Sequence, residues 1–271
     1  MNDKYIGVFD SGLGGLTTVK ELMKVLPEEN IIYFGDTARV PYGTKSDSVI
    51  IKYVRSDVNF LKSFDIKMII VACGTASSVA LPVIKDECGV PIIGVVSPTV
   101  RAALGATRNN RIAVLGTNTT INSGKYESEI KSLSPDTFVF NKACPLFVPI
   151  VENGCIDDEI AHLVCKKYLD EVIESGADTV ILGCTHYPIL ERTISKILGG
   201  KVRLINSGAE TADYTKRYLA QNDMLCSGRS DRQYRYYVSD SAENFSSVAD
   251  IFLDGHFGGD IQKINIENYG D

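Results

Sequence analysis

Several signatures are missing from this sequence, and each absence removes a class of function. There is no Cys-x-x-Cys pair, which argues against a zinc ribbon and against a thioredoxin-like redox couple. No apolar run approaches the roughly 18 residues that a membrane-spanning helix requires. No secretory segment comes before the first apolar run, because Met1-Asn2-Asp3-Lys4 leads directly into Tyr5-Ile6-Gly7-Val8-Phe9. Neither G-x-G-x-x-G nor a Walker sequence occurs. Positive charge is in deficit: 28 lysines and arginines face 34 aspartates and glutamates, for a net charge of −6 and a pI near 5.2. That balance speaks against a nucleic-acid surface, which needs a basic face, but not against a small anionic substrate held at a locally positive site.

What is present is enough for a real core. The 271 residues fit one large or two modest domains without disulfide staples. The seven cysteines are odd in number and form no tight framework of spacings, so free thiols in the reducing cytoplasm are expected.

Short apolar runs alternate with longer amphipathic stretches. The runs are Tyr5–Phe9, Ile31–Phe34, Met68–Ala72 and Ile92–Val96. Between them, Leu16, Val19, Leu22, Met23 and Leu26 have helical spacing, as do Ile50, Tyr53, Val54 and Leu61 in a stretch from about 46 to 64. Runs that are nearly all apolar belong to strands buried on both faces of a parallel sheet, so the fold class expected is α/β. The pattern then restarts with Arg111–Leu115, Thr137–Phe140, Thr179–Leu182 and Val202–Ile205. Ile6 and Ile112 are 106 residues apart, Ile31 and Thr137 also 106, and Cys73 and Cys184 111. Two similar α/β units related by duplication are expected, because this period is far too long for a solenoid. A tail follows, with a strand over Tyr234–Val238 and then Phe245, Ala249 and Phe252 at helical spacing.

The third run of each unit leads into a cysteine: Val71-Ala72-Cys73-Gly74-Thr75 and Leu182-Gly183-Cys184-Thr185-His186. Ligands of open α/β sheets bind beyond the carboxyl ends of the strands. A unit facing its own copy brings Cys73 and Cys184 to one cleft from opposite sides. Inverting a stereocentre by proton transfer needs a base on one face of the carbon and an acid on the other, and two thiols meet that need. A free thiol has a pKa of about 8.5, so neighbours must help it exchange protons at neutral pH. Asp10 ends the first run, His186 lies two residues after Cys184, and Glu152 can orient His186. The glycines in Asp10-Ser11-Gly12-Leu13-Gly14-Gly15 let backbone N–H groups approach a carboxylate.

Each residue also has an ordinary reading. A single strand-end cysteine is usually a small buried hydrophobe; the repetition of Cys73 and Cys184 sets them apart from Cys88, Cys144, Cys155, Cys165 and Cys226. Asp10 can simply cap the following helix, His186 alone would be structural, and Glu152 by default is a solvated loop carboxylate. His162 and His256 are given no role.

Taken together, these motifs resemble the glutamate racemases of the cofactor-independent aspartate/glutamate racemase group. The resemblance covers nearly the whole chain, through Gly7–Gly15, Tyr33-Phe34-Gly35-Asp36-Thr37-Ala38-Arg39-Val40-Pro41-Tyr42-Gly43, Pro145–Gly154 and Ile181–Pro188. It implies that Cys73 deprotonates the D-enantiomer and Cys184 the L-enantiomer, with Asp10 and His186 assisting and Glu152 behind His186. It implies substrate contacts from Asp10, Ser11, Pro41, Tyr42, Gly43, Gly74, Thr75, Thr117, Thr120 and Thr185. It further implies D-glutamate production for peptidoglycan, no pyridoxal cofactor or metal, a cytoplasmic homodimer, and no nucleic-acid or membrane partner. The domains expected are 1–97 with the returning tail 207–271, and 98–206, with the active site in the cleft between them.

Two positions depart from the resembled pattern. Gly74 stands where asparagine usually follows the first cysteine, and Thr119 stands where glycine usually precedes Thr120. Both are read as tuning affinity while activity is kept. The N-terminal extension with which some members bind a cell-wall precursor is absent before the first run, so constitutive activity is expected. The rival readings are a racemase for aspartate or a related acid, and a non-catalytic amino-acid-binding protein.

Overall fold

The computed structural model describes residues 3–226, 232–253 and 261–270; His256 lies outside them. The first unit runs through β1 (Tyr5–Asp10), α1 (Leu16–Val25), β2 (Ile31–Gly35), α2 (Asp47–Lys62), β3 (Ile66–Val71), α3 (Gly74–Val79), α4 (Leu81–Ile84) and β4 (Ile92–Gly94). Helix α5 (Val96–Ala106) leads into the second: β5 (Arg111–Gly116), α6 (Asn118–Asn122), α7 (Lys125–Leu133), β6 (Phe138–Ala143), α8 (Phe147–Glu152), α9 (Glu159–Glu174), β7 (Thr179–Leu182), α10 (Glu191–Ile197) and β8 (Arg203–Asn206). Helix α11 (Ser207–Gln221) precedes a tail of β9 (Tyr234–Val238), α12 (Ala242–Leu253) and β10 (Ile261–Lys263).

Two all-parallel sheets result, ordered β10-β9-β2-β1-β3-β4 and β6-β5-β7-β8. The order β2-β1-β3-β4 reappears as β6-β5-β7-β8, which is the duplication visible in the sequence. The tail strand β9 pairs with β2 and so extends the first sheet.

The central strands are apolar throughout because both faces are covered. In β1, Ile6 and Val8 face one apolar cluster while Phe9 faces another. In β5, Ala113 and Leu115 join the first of these, and Ile112 and Val114 turn to a third with Val96 and Val100 of α5. The first cluster also takes Leu16, Val19 and Leu22 from α1 and Phe147 and Tyr187 from the second unit, so one core runs through both. Phe245, Ala249 and Phe252 of α12 are buried in it.

Some element boundaries differ from the sequence reading. The run Ile92–Val96 is strand only to Gly94, because the Ser77 hydroxyl accepts from the Val95 N–H at 3.1 Å and Val96 opens α5. Pro98 fits there because the first helical turn needs no N–H donor. Strand β6 continues through Asn141 and Lys142 to Ala143, which an edge strand with half-exposed positions permits. The short, polar β10 has no apolar pattern to reveal it. The expected boundary at 97/98 falls inside α5.

Candidate active site

Strand register puts the two cysteines in equivalent places. Phe9 of β1 pairs with Val71 of β3, and Cys73 lies two residues further on. Leu115 of β5 pairs with Leu182 of β7, and Cys184 again lies two residues further on. Both are free thiols, buried but for slivers of 5% and 9% exposure, and both line one cavity of about 360 Å³.

Cys73 is the N-cap of α3. Its sulfur accepts from the Ala76 N–H and lies 3.5 Å from the Ser11 hydroxyl, to which it donates. Asp10 lies at the end of β1 and is buried; one oxygen accepts from the Gly12 N–H at 3.1 Å. Burial raises the Asp10 pKa, against the pull of His186 and of that backbone donor. Burial, with Asp10 beside it, pushes the Cys73 thiol up to about 12. Asp10 does not cap α1, whose N-cap is Gly15. Nor is Asp10 on the cavity wall. Ser11 and Gly12, which follow it in the chain, line the cavity.

Cys184 has different company. His186 Nδ1 lies 4.0 Å from its sulfur and 3.4 Å from the Thr185 hydroxyl, and Nε2 lies 3.0 Å from Glu152 Oε1. Burial acts to lower the pKa of His186, but the Cys184 sulfur and the Glu152 carboxylate outweigh it and raise the imidazole to about 10. Glu152 is the last residue of α8 and not a loop residue, with its side chain half-exposed at the cavity mouth.

On the wall of the same cavity, hydroxyls from both units converge. Thr75 Oγ1 lies 3.0 Å from Thr117 Oγ1 and 3.3 Å from Thr120 Oγ1, and the last two are 3.0 Å apart. Ser11, Pro41, Gly43, Gly74 and Thr185 also line the cavity. The wall further includes Val40, Asn118, Pro145, Val148 and Pro149, which the residue-by-residue reading does not single out; their signal is membership of, or adjacency to, the quoted motifs.

Tyr42 touches the cavity, but its hydroxyl points elsewhere, 2.5 Å from Asp36 and 3.0 Å from Asp57. Arg39 Nε donates to Asp36 at 2.6 Å and its Nη2 to Asp57 at 2.8 Å. Burial pushes both carboxyls up, Asp57 well above the usual range, with Arg39 pulling them back. This buried cluster anchors the Pro41-Tyr42-Gly43 loop through the Tyr42 hydroxyl. Among the described residues, no group of three His, Cys, Asp or Glu side chains is placed to hold a metal ion.

The model of the Asp/Glu/hydantoin racemase family matches residues 17–215. The chain belongs to this family. It is 44% identical to the glutamate racemase of Geobacter metallireducens over 264 residues, 97% of each chain. It is 46% identical to that of Neisseria meningitidis serogroup A over 249 residues, 92% of each. Among solved structures it resembles the glutamate racemase of Francisella tularensis in complex with D-glutamate, with a TM-score of 0.92, 37% identity, and coverage of 99% of this chain and all of the other. No helix among the described residues is long and apolar enough to cross a membrane.

Proposed function

We propose that this racemase-family chain interconverts L- and D-glutamate by proton transfer between Cys73, Cys184 and the substrate α-carbon, supplying D-glutamate for peptidoglycan. One observation carries the reading: equivalent strand ends of a duplicated fold present a thiol each to one cavity. The names of the relatives and of the D-glutamate complex supply the substrate.

In the L-to-D direction, Cys184 as thiolate takes the α-proton and the Cys73 thiol gives its own proton to the opposite face. One C–H bond breaks, one forms, and the charge moves from Cys184 to Cys73. The D-to-L direction reverses these roles. His186, oriented by Glu152, exchanges protons with Cys184, and Asp10 does so for Cys73. Ser11, the Pro41–Gly43 loop, Gly74, Thr75, Thr117, Thr120 and Thr185 hold the carboxylates and ammonium through hydroxyls and backbone. The domains 1–97 with 207–271, and 98–206, act as the two jaws. By the same family resemblance the enzyme works as a homodimer in the cytoplasm.

Proton NMR of L-glutamate in D₂O, followed with circular dichroism on the same sample, tests this. Loss of the α-proton signal with decay of the optical signal to zero is expected. Neither change with glutamate, but both with aspartate, would move the substrate; neither with any amino acid would leave only a binding protein.

A further inference from the structure

The network around the Tyr42 hydroxyl is one hydrogen short. The side chains of Asp36, Asp57 and Arg39 are at most 8% exposed and Tyr42 is buried, so their hydrogen bonds are made within the protein. Asp36 is the better served of the two carboxyls. Its Oδ1 accepts from the Ser239 hydroxyl at 2.8 Å, and its Oδ2 accepts from Arg39 Nε at 2.6 Å and from the Tyr42 hydroxyl at 2.5 Å. Asp57, on α2, accepts from Arg39 Nη2 through Oδ1 at 2.8 Å, and its Oδ2 lies 3.0 Å from the same Tyr42 hydroxyl.

A phenol has a single hydrogen to give, and the shorter contact, to Asp36, takes it. Asp57 Oδ2 and the Tyr42 oxygen would then be two acceptors at hydrogen-bond distance. A proton on Asp57 Oδ2, donated to the phenol oxygen, removes the conflict. Charge counting agrees: one guanidinium faces two buried carboxyls, and a second buried carboxylate would lack a counter-charge. The surroundings supply none. The Tyr53 ring of α2 lies under the guanidinium, 4.3 Å from it, and Ser239 at the end of β9 is neutral. Glu267, in the last turn Ile266–Tyr269, brings an exposed carboxylate 3.8 Å from Arg39 Nη1. Burial and the Asp36 charge act on Asp57 in the same sense, favouring its neutral form.

We propose that Asp57 is a positioning residue that works as a neutral carboxylic acid, donating to the Tyr42 hydroxyl and so holding the Pro41–Gly43 loop against the cavity where substrate is bound. With the phenol engaged as donor to Asp36 and acceptor from Asp57, the Tyr42 ring is fixed and the loop with it. The substrate half of this inference rests on the glutamate reading; the proton half does not.

The test uses Asp57→Asn and Asp57→Leu in the full chain, with thermal melts to confirm folding. Asparagine is the neutral isostere: its carbonyl accepts from Arg39 and its amide N–H donates to Tyr42. Leucine keeps the volume and removes both bonds. Carbon-13 NMR of protein labelled at the aspartate carboxyl carbons reads the proton, the Asp57 signal being the one missing from Asp57→Asn. At about pH 6, where an ordinary aspartate is ionised, that signal should stand at the carboxylic-acid position. Steady-state kinetics with glutamate reads the loop. Asp57→Asn should keep KM and kcat within about twofold, while Asp57→Leu should raise KM about three- to tenfold, by more than kcat falls, as expected for one lost hydrogen bond. Tyr42→Phe should raise KM similarly, and combining it with Asp57→Leu should add nothing, because both act through one contact. An Asp57 signal at the carboxylate position overturns the proposal, as does Asp57→Asn raising KM as far as Asp57→Leu. A folded Asp57→Leu protein with a lowered melting temperature and an unmoved KM also overturns it, since a purely structural residue would behave so. If Asp57→Leu does not fold, the NMR signal and Asp57→Asn decide. A carboxylic-acid signal in a chain that does not racemise glutamate keeps the proton and sinks the glutamate reading; a carboxylate signal in an active enzyme sinks the proton alone.

Discussion

The two cysteines occupy the same place in two copies of one fold, yet their surroundings have little in common. Cys73 shares its burial with the Asp10 carboxyl, the Ser11 hydroxyl and the Ala76 N–H, and among the described residues no cationic side chain is hydrogen-bonded to it. Cys184 has the His186 imidazole 4.0 Å away, itself held by a half-exposed glutamate. Duplication thus supplies the symmetry of position that a two-faced proton transfer needs. The helpers differ: what lies beside one thiol is not what lies beside the other. Burial and Asp10 raise the pKa of the Cys73 thiol, while Cys184 has an imidazole beside it.

The sharpest way to break this comparison is to remove each thiol in turn. Cys73→Ser and Cys184→Ser should each lower racemisation by about 1,000-fold or more, within the range of a lost acid–base group. Unequal losses, with one variant keeping a tenth of the activity, would mean that the two sides are not a matched pair. A smaller effect is expected at the support of His186. Glu152→Gln removes the charge that favours the imidazolium, so the His186 pKa should fall from about 10 and activity should drop by about tenfold. A ¹⁵N NMR titration of the imidazole reads the first, and an unmoved midpoint would assign the shift to Cys184 alone. The smallest change concerns Cys73 in the unmodified protein. With its thiol up at about 12, its alkylation should climb about tenfold per pH unit from pH 7 to 10 without levelling off. A plateau near pH 8 would mean that burial and Asp10 do not hold the proton. The raised values of His186 and Cys73 have one sign: the folded protein binds both protons more tightly than the unfolded chain. Their contribution to stability is full below about pH 6.5 for His186, and is lost as pH climbs through about 10 and then, for Cys73, from about 9 to 12.

The thiols are legible in the sequence because each ends an apolar run that recurs at nearly constant spacing. Strands buried on both faces announce themselves in the same way, which is why the duplicated α/β architecture can be read before any coordinates. Asp10 and His186 are legible by adjacency to strand ends. Glu152 is different: it reaches His186 from a helix 34 residues earlier, a link that no strand end or local spacing marks. Tyr42 belongs to a conspicuous motif, but nothing local says that its hydroxyl turns away to Asp36 and Asp57. Gly74 and Thr119, read as sequence, are changes in what a substrate meets. In the fold both lie where the two units meet, a contact between residues distant in the chain that no periodicity encodes.

The way the tail enters the first sheet also governs the order of assembly. The second sheet is drawn from one uninterrupted stretch, β5 to β8, and its partners are close together in the chain. The first is not: β2 lies between β1 and β9, and Asp36 just beyond β2 is tied to Ser239, 203 residues later. During synthesis the outer edge of β2 therefore waits, its N–H and C=O groups unpaired, while the whole second unit is made and folded. The half that carries Asp10 and Cys73 leaves the ribosome first and is completed last, which makes it the half that a stalled or truncated chain would leave open to aggregation.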